Sequence, residues 1–317
     1  MQQTTDPLPS WQAGAAKDAI LQFINRVTTA GEHFVPPEQR IAVFDHDGTL
    51  WVEKPLVTEL AFIADLLRHN PAHAVADGES FFGGLFGHHL GQWLSYIRHW
   101  FALLMRQLLA DGRWLLREFI DGISTDDYQH FAKNWLQHAR HPRFQCLYSE
   151  LVYQPMLEVL ALLQQHGFKN YLVSGGSNYF IRAMAQTSYQ IPPEQAIGSQ
   201  LLTRLTQRNG RLQVELRPVP WFFDNGSGKV LAIASRIDRQ PIAAFGNSSG
   251  DIKMLRWAGQ HPAALCMLVH HTDAKREYQY SPGAKTLQAA TEYQWQLVDM
   301  AQDWKRVFPF ETSDDVV

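Results

Sequence analysis

The sequence predicts an α/β protein: a Rossmann-like, mainly parallel sheet covered by helices, interrupted by an all-helical insertion. Three observations lead there. Short apolar runs at 41–44, 171–174, 241–245 and 264–269 alternate with amphipathic, helix-like stretches, the arrangement that favours parallel strands joined by helical crossovers. From 51 to 147 that alternation stops, and long helical patterns rich in Trp, Phe and His take over. The apolar runs also end in Asp, Ser, Gly or Asn, and parallel strands deliver their carboxyl ends to one edge.

The totals set the frame. At 317 residues and 45% hydrophobic content, the chain can build one large domain or two modest ones around a real core. Lys and Arg number 28 against 31 Asp and Glu, a formal charge of -3, so no basic field points to nucleic acid or an anionic membrane surface. Cys146 and Cys266 make no disulfide framework; each reads as a small buried hydrophobe. Residues 1–12 lack the basic and apolar regions of a secretory leader, so the chain reads as cytoplasmic. A periplasmic form with its leader removed, starting near Asp6, would read the same way.

Taken in order, residues 15–28 place Ala16, Ile20, Ile24 and Val27 at helical spacing, and Pro36-Pro37 breaks the chain before the strand at 41–44. The insertion follows. Its most apolar segment, 81–109, is interrupted by charged and polar residues and so is no stable membrane span. There Gln92, Ser95, His99, Ala102 and Arg106 form one narrow polar stripe, suited to water, a cleft or an interface. A helix over 153–165 ends at His166-Gly167, and the 171–174 strand runs into Gly175-Gly176 before a helix from Asn178. A strand at 196–200 then gives way to a hairpin, 201–207 and 211–216, turned at Asn209-Gly210. Asp224-Asn225-Gly226-Ser227-Gly228 delivers Lys229 to the first turn of a helix reaching Ile237. After the strands at 241–245 and 264–269, the latter taken as the last, residues 291–307 read as a closing helix with Trp295, Val298, Ala301, Trp304 and Val307 on one face.

Chemistry gathers at the strand ends. If the first strand runs to Asp47, alternation puts Asp45 and Asp47 on the same side, and two such acids need a hard cation, a lysine or a shared proton. Read alone, the pair is also compatible with a simple turn, Ser174 with a helix N-cap, and Lys229 with a solvated lysine. Together Asp45, Asp47, Ser174, Lys229, Asn247 and Asp251 can line one pocket. His270-His271 and His88-His89 do not read as metal sites, because neighbouring strand side chains point to opposite faces.

Phe44-Asp45-His46-Asp47-Gly48-Thr49, Val173-Ser174-Gly175-Gly176, Lys229 and Gly246-Asn247-Ser248-Ser249-Gly250-Asp251 resemble, in order, the four motifs of the haloacid dehalogenase (HAD) superfamily of phosphohydrolases, in its phosphoserine-phosphatase-like branch. The insertion is similar to that family's helical C1-type cap. The resemblance implies a HAD core at 1–50 and 148–317, a cap at 51–147, and a Mg²⁺-dependent phosphatase acting on a small phosphorylated metabolite. It implies that Asp45 is the nucleophile forming an aspartyl-phosphate, and that Asp47 is the general acid/base whose carbonyl meets the metal. Ser174, with N–H groups of His46 and Gly175, would hold the phosphoryl oxygens, and Lys229 would supply fixed positive charge. The metal set would be Asp45, Asp47, Asn247 and Asp251, with an amide at Asn247 where the family commonly has a carboxylate. Trp51 and Glu53 would help set specificity, and the His46 side chain would line the cleft mouth. The rival expectation is a phospho-accepting signalling protein, or a non-catalytic phosphate-binding protein, of the same fold.

Overall fold

The computed structural model describes residues 6–69 and 120–311. The polar stripe from Gln92 to Arg106 and the His88-His89 pair lie outside these residues. The described residues belong to two compact units: one drawn from 1–61, 128–200 and 221–317, the other from 62–127 and 201–220. Among the described residues, no helix is long and apolar enough to cross a membrane.

The elements follow the apolar periodicities. Helix α1 (Ala15–Thr28) buries Ala16, Ile20, Phe23, Ile24 and Val27 on one face. β1 (Ile41–Phe44) is buried on both faces, as the middle strand of a helix-covered sheet must be. Then come α2 (Thr58–His69), α3 (Thr125–His138) and α4 (Gln154–Gln165), the last ended by Gly167 at φ 76°. β2 (Lys169–Ser177), α5 (Asn178–Tyr189), β3 (Ala196–Arg208) and β4 (Arg211–Phe222) lead to α6 (Ser227–Arg236) and β5 (Ala243–Gly246). The chain closes through α7 (Ile252–Ala258), β6 (Leu265–His270), α8 (Ala284–Glu292), β7 (Gln296–Asp299) and the single turn α9 (Met300–Asp303).

The seven strands lie in the order β4-β3-β2-β1-β5-β6-β7. β1 pairs in parallel with β2 on one side and β5 on the other, so the strand order reverses at β1. Open α/β sheets bind ligands at the carboxyl end of that reversal. Phe44 is registered with Leu172 and Phe245, which brings Asp45, Val173-Ser174 and Gly246-Asn247 to one edge. Below that edge the Phe44 and Phe245 rings stack at 4.4 Å. Ile41, Val43, Val173, Ile233, Met254, Leu255, Cys266 and Leu268 form the core beneath α6, α7 and α8.

Two expectations change. β3 is one continuous strand, not a short strand followed by a separate hairpin arm, because nothing turns the backbone between Ala196 and Arg208. The Asn209-Gly210 turn is where it was expected, both residues having positive φ. The closing helix over 291–307 is replaced by α8, the seventh strand β7 and α9. Gln294 at φ 54° breaks the helix, and pairing of 296–299 with 267–270 of β6 makes the strand. The apolar spacing from Trp295 to Val307 mimics a helix, yet Ala301 is exposed.

In the second unit, Glu215 is buried and receives Arg204 and Arg208, each at 2.8 Å. Arg217 pairs with Asp121 at 3.0 Å, and the Gly122 and Leu216 backbones bond to each other's neighbourhood through Gly122 N to Leu216 O and Leu216 N to Ile123 O.

Candidate active site

All of the anticipated site residues lie in the first unit, and the carboxylate and amine groups converge. Asp45 follows β1 and keeps its ladder, its N–H donating to Phe245 O at 2.9 Å. The strand does not reach Asp47. Thr49 and Leu50 N–H groups both donate to His46 O, so the backbone already turns at His46, and the two acids face the site through a turn rather than by strand alternation. Gly48 has φ 78°; a Cβ there would lie 2.0 Å from the Asn247 side-chain amide and 2.7 Å from Tyr280 Oη. Only glycine fits this turn.

Lys229, in the first turn of α6, is fully buried and spends all three protons. Its Nζ donates to Asp45 Oδ1 at 2.5 Å, Asp251 Oδ1 at 2.7 Å and Val173 O at 2.8 Å. It is not a solvated lysine. Burial opposes its charge, but Asp251 and Asp45 outweigh that and hold its pKa above the ordinary lysine value. Asp251 fixes the fourth strand end: its Oδ2 accepts from Asn247 N, Ser248 N and Ser248 Oγ at 3.0–3.1 Å. Both of its oxygens are thus committed to protein donors.

The acids are poised by this charge balance. Two buried carboxylates share one ammonium, and the surplus negative charge is felt at Asp45. Burial and the neighbouring Asp251 push Asp45 up to about 7 against the pull of Lys229. Asp47 is driven well above the carboxylate range by burial, then by Asp45 and Glu53, although Trp51 Nε1 donates to its Oδ1 at 2.9 Å.

The Asn247 amide has two placements. One of its terminal atoms lies 3.0 Å from Asp45 Oδ2 and 3.2 Å from Asp47 O. With nitrogen there, the amide donates to both and needs nothing else. With oxygen there, the nitrogen turns to Glu53 Oε2 at 3.4 Å and Thr49 Oγ1 donates to the oxygen at 3.4 Å. A carboxylate, a main-chain carbonyl and an amide oxygen then face one another with no other donor among the three. That hard, all-oxygen donor set suits Mg²⁺. Among the described residues, no three His, Cys, Asp or Glu gather as a metal site, here or elsewhere, so the donors at this site are one carboxylate, a carbonyl and an amide.

β2 supplies the other side of the site. Ser174 is buried and its Oγ accepts from Gly176 N at 3.1 Å. The helix cap is Ser177 instead, accepting from Phe180 N, so Ser174 is not spent on capping α5. Gly175 O accepts from Ser199 Oγ at 2.8 Å. Glu53 is half-buried beside Lys54 at 3.2 Å.

Two side chains sit differently from expectation. His46 does not line a cleft mouth: it is fully buried, its Nε2 2.9 Å from Tyr189 Oη and its ring stacked on Trp51 at 4.6 Å. Burial, and then the Lys229 charge, push it down to about 3, so it stays neutral. Trp51 is buried too, and holds Asp47. Both are drawn inward because their rings pack on each other and on Phe180 and Tyr189.

Other contributors were not visible in the sequence. Glu59 Oε2 accepts from Ser177 N at 2.7 Å and its Oε1 from Tyr128 Oη at 2.9 Å, pinning the end of β2 beyond the register shift that follows Ser174. His271 holds Gly48 O at 2.7 Å. Asp224, wholly buried near Lys229, has no partner for either carboxylate oxygen among the described residues, and burial pushes it up to about 7. These contacts join residues far apart in the chain, and no local pattern announces them.

The site thus sets an aspartate at the switch point of a parallel sheet, clamped by a buried lysine, with a second acid two residues on and an amide facing both. The chain belongs to the haloacid dehalogenase-like hydrolases: that family's model matches residues 42–256. No curated protein matches the chain. A conserved, functionally unknown protein from Anaerococcus prevotii DSM 20548 is similar in structure, with a TM-score of 0.56 at 17% identity over 90% of this chain and 91% of that one. At that identity the likeness shows the fold alone. A protein of unknown function from Bordetella pertussis Tohama I has a TM-score of 0.48 at 14% identity, covering 83% and 99%. A phosphoserine phosphohydrolase-like protein from Francisella tularensis subsp. tularensis SCHU S4 has 0.37 at 15%, covering 79% and 98%.

Proposed function

We propose that this protein is a Mg²⁺-dependent phosphomonoester hydrolase acting on a small phosphorylated metabolite through an aspartyl-phosphate on Asp45. The observation that carries the reading is the convergence of the Asp45 carboxylate, held by Lys229 at 2.5 Å, with Asp47 O and the Asn247 amide. The insertion at 51–147 acts as the cap that closes over the substrate and contributes specificity, with Glu53 at its start.

Asp45, Asp47 O and the Asn247 amide oxygen would hold the metal directly, and Asp251 would serve it through Lys229 and the Asn247 backbone. Bound there, Mg²⁺ supplies charge neutralisation for the phosphoryl oxygens and keeps Asp45 ionised. The Asp45 carboxylate attacks phosphorus and forms the new P–O bond. The bond to the leaving group breaks, and the leaving alkoxide takes a proton from Asp47, whose burial and acidic neighbours raise its pKa and favour the protonated form. Asp47, now a carboxylate, takes a proton from water. The water oxygen attacks phosphorus, the P–O bond to Asp45 breaks, and inorganic phosphate leaves. Lys229, Ser174 Oγ and the N–H groups of His46 and Gly175 stabilise the charge on the transferring group.

The test is phosphate release from p-nitrophenyl phosphate and from a panel of phosphorylated metabolites, for the wild type and Asp45→Asn, with and without Mg²⁺. Fast Mg²⁺-dependent release that vanishes in Asp45→Asn supports the reading. Undiminished turnover by Asp45→Asn refutes the nucleophile, and a long-lived phosphoprotein without turnover points to a phospho-acceptor instead.

A further inference from the structure

His271 stands outside the four motif regions, 223 residues from the nucleophile turn it touches. It is almost wholly buried. Its Nε2 lies 2.7 Å from Gly48 O, its Nδ1 lies 3.0 Å from Glu277 Oε2, and Glu277 is itself fully buried. A carbonyl can only accept, so Nε2 carries a proton. Glu277 orients the ring from the far side, and Tyr280 stacks on it at 4.1 Å and 15°. The Tyr280 backbone is in turn tied to His271, its N–H donating to His271 O at 3.0 Å.

What this bond secures follows from the peptide planes around Gly48. The plane before Gly48 carries Asp47 C=O and Gly48 N–H, and that N–H donates to Trp51 O at 2.9 Å. The plane after it carries Gly48 C=O, which His271 binds. Gly48 is the residue with the most backbone freedom in the turn, and it sits at φ 78°. Holding the planes on both sides fixes its φ and ψ, and so fixes where Asp47 C=O points, 3.2 Å from the Asn247 amide. Histidine suits the task because one ring nitrogen donates to the turn while the other is gripped from behind, the same logic by which outer groups orient a site's direct ligands.

We infer that His271, oriented by Glu277, is a positioning residue for the Asp47-Gly48 turn. It keeps the Asp47 carbonyl turned toward the cation site and the Asp47 carboxyl in register with Asp45. The inference rests on the phosphohydrolase reading for its consequence in turnover, but its structural half stands apart from that reading.

The test compares His271→Phe, which keeps a ring to fill the space but has no donor, with His271→Gln, whose side-chain amide can donate to Gly48 O. The first readout needs no turnover: the Mg²⁺ concentration that half-saturates the Mg²⁺-induced rise in Tm. The second is kcat and KM on p-nitrophenyl phosphate. Loss of such an outer group costs about 10- to 100-fold, so His271→Phe is expected to need about tenfold more Mg²⁺ and to lose at least about tenfold in kcat. KM should change little, and His271→Gln should recover most of both losses. A His271→Phe protein with a lower Tm but wild-type Mg²⁺ dependence and kcat overturns the inference, leaving a merely structural histidine. So does a folded His271→Gln protein as impaired as His271→Phe.

Should His271→Phe fail to fold, the ¹⁵N spectrum of wild-type His271 decides. An Nε2-bound proton protected from exchange supports the inference, and a bare Nε2 overturns it. A wild type that neither turns over nor responds to Mg²⁺ refutes the proposed function, whereas an active wild type matched by His271→Phe refutes this inference alone.

Discussion

Lys229 Nζ sits 2.5 Å from Asp45 Oδ1 with both groups buried, and the same ammonium reaches Asp251 Oδ1 at 2.7 Å. One cation therefore holds two carboxylates at the sheet edge. Stability and catalysis should separate when this cluster is cut in different places. Lys229→Met leaves two facing acids without their cation and should cost about 3–5 kcal/mol in urea unfolding, along with turnover. Asp45→Asn keeps the Lys229 bonds to Asp251 and Val173 O. It should cost less than about 2 kcal/mol in the same measurement, while turnover disappears.

In the proposed reading, Asn247 sets how much charge would meet the cation. Asn247→Asp supplies the missing carboxylate, and the Mg²⁺ concentration that half-saturates turnover should fall by about tenfold, since ligand charge tunes affinity. Asn247→Leu, with no oxygen to offer, should raise it. Removing metal with EDTA should abolish turnover and added Mg²⁺ should restore it. Turnover that is indifferent to EDTA would exclude the cation site.

Gly48→Ala tests the turn directly. The substitution places a Cβ against the Asn247 amide and Tyr280 Oη at a φ of 78°. We expect a loss of about 2 kcal/mol in thermal or urea unfolding. Turnover at fixed Mg²⁺ should fall further than stability alone explains, because Asn247 must move.

Asp224 carries a pH signature. Its carboxyl has no hydrogen-bond partner among the described residues and is pushed from 3.8 to about 7, so its folded pKa lies above its unfolded one. The unfolded chain gives up this proton near 3.8 while the folded protein keeps it to about 7. Asp224 therefore costs the wild type stability progressively across that window, and the cost is complete above it. Asp224→Asn, neutral at every pH, should match the wild type near pH 4 by this group's account. It should gain on it with rising pH, by roughly 3 kcal/mol above pH 7. Urea unfolding of both proteins from pH 4 to 8 reads the difference, and a difference that does not grow with pH would show that Asp224 is not buried as a neutral acid.

Much of the fold was legible because it is locally encoded. The 15–28 helix, the 41–44 strand, the Asn209-Gly210 turn and the Lys229 helix each follow from periodicity or turn chemistry within a few residues. β7 was not legible, because the spacing of Trp295 and Val298 fits a helix and only pairing with β6 makes it extended. The chemical groups of the site could be read as well, because Asp45 and Asn247 sit just beyond strand ends, Lys229 in a first helical turn, and Ser174 at the register shift near the end of β2. Their supports could not. Trp51 holding Asp47 and the burial of His46 depend on ring packing, and the bonds from Glu59 and His271 cross 118 and 223 residues.

The early end of β1 gives the two acids of the site different supports. Asp45 is joined to the neighbouring strand through Phe245 O and clamped by Lys229, so it inherits the rigidity of the sheet's middle. Asp47 rides on a turn beyond the strand, steadied by single bonds to its side chain and to its glycine neighbour. In the proposed reaction, the first must meet one phosphorus atom twice at the same point. The second must serve two partners in succession, a departing oxygen and then an arriving water. Stopping the strand at Phe44 seats Asp45 in the sheet ladder and places Asp47 on a turn held from outside it, so in the proposed reaction the two acids take their positions from different parts of the fold.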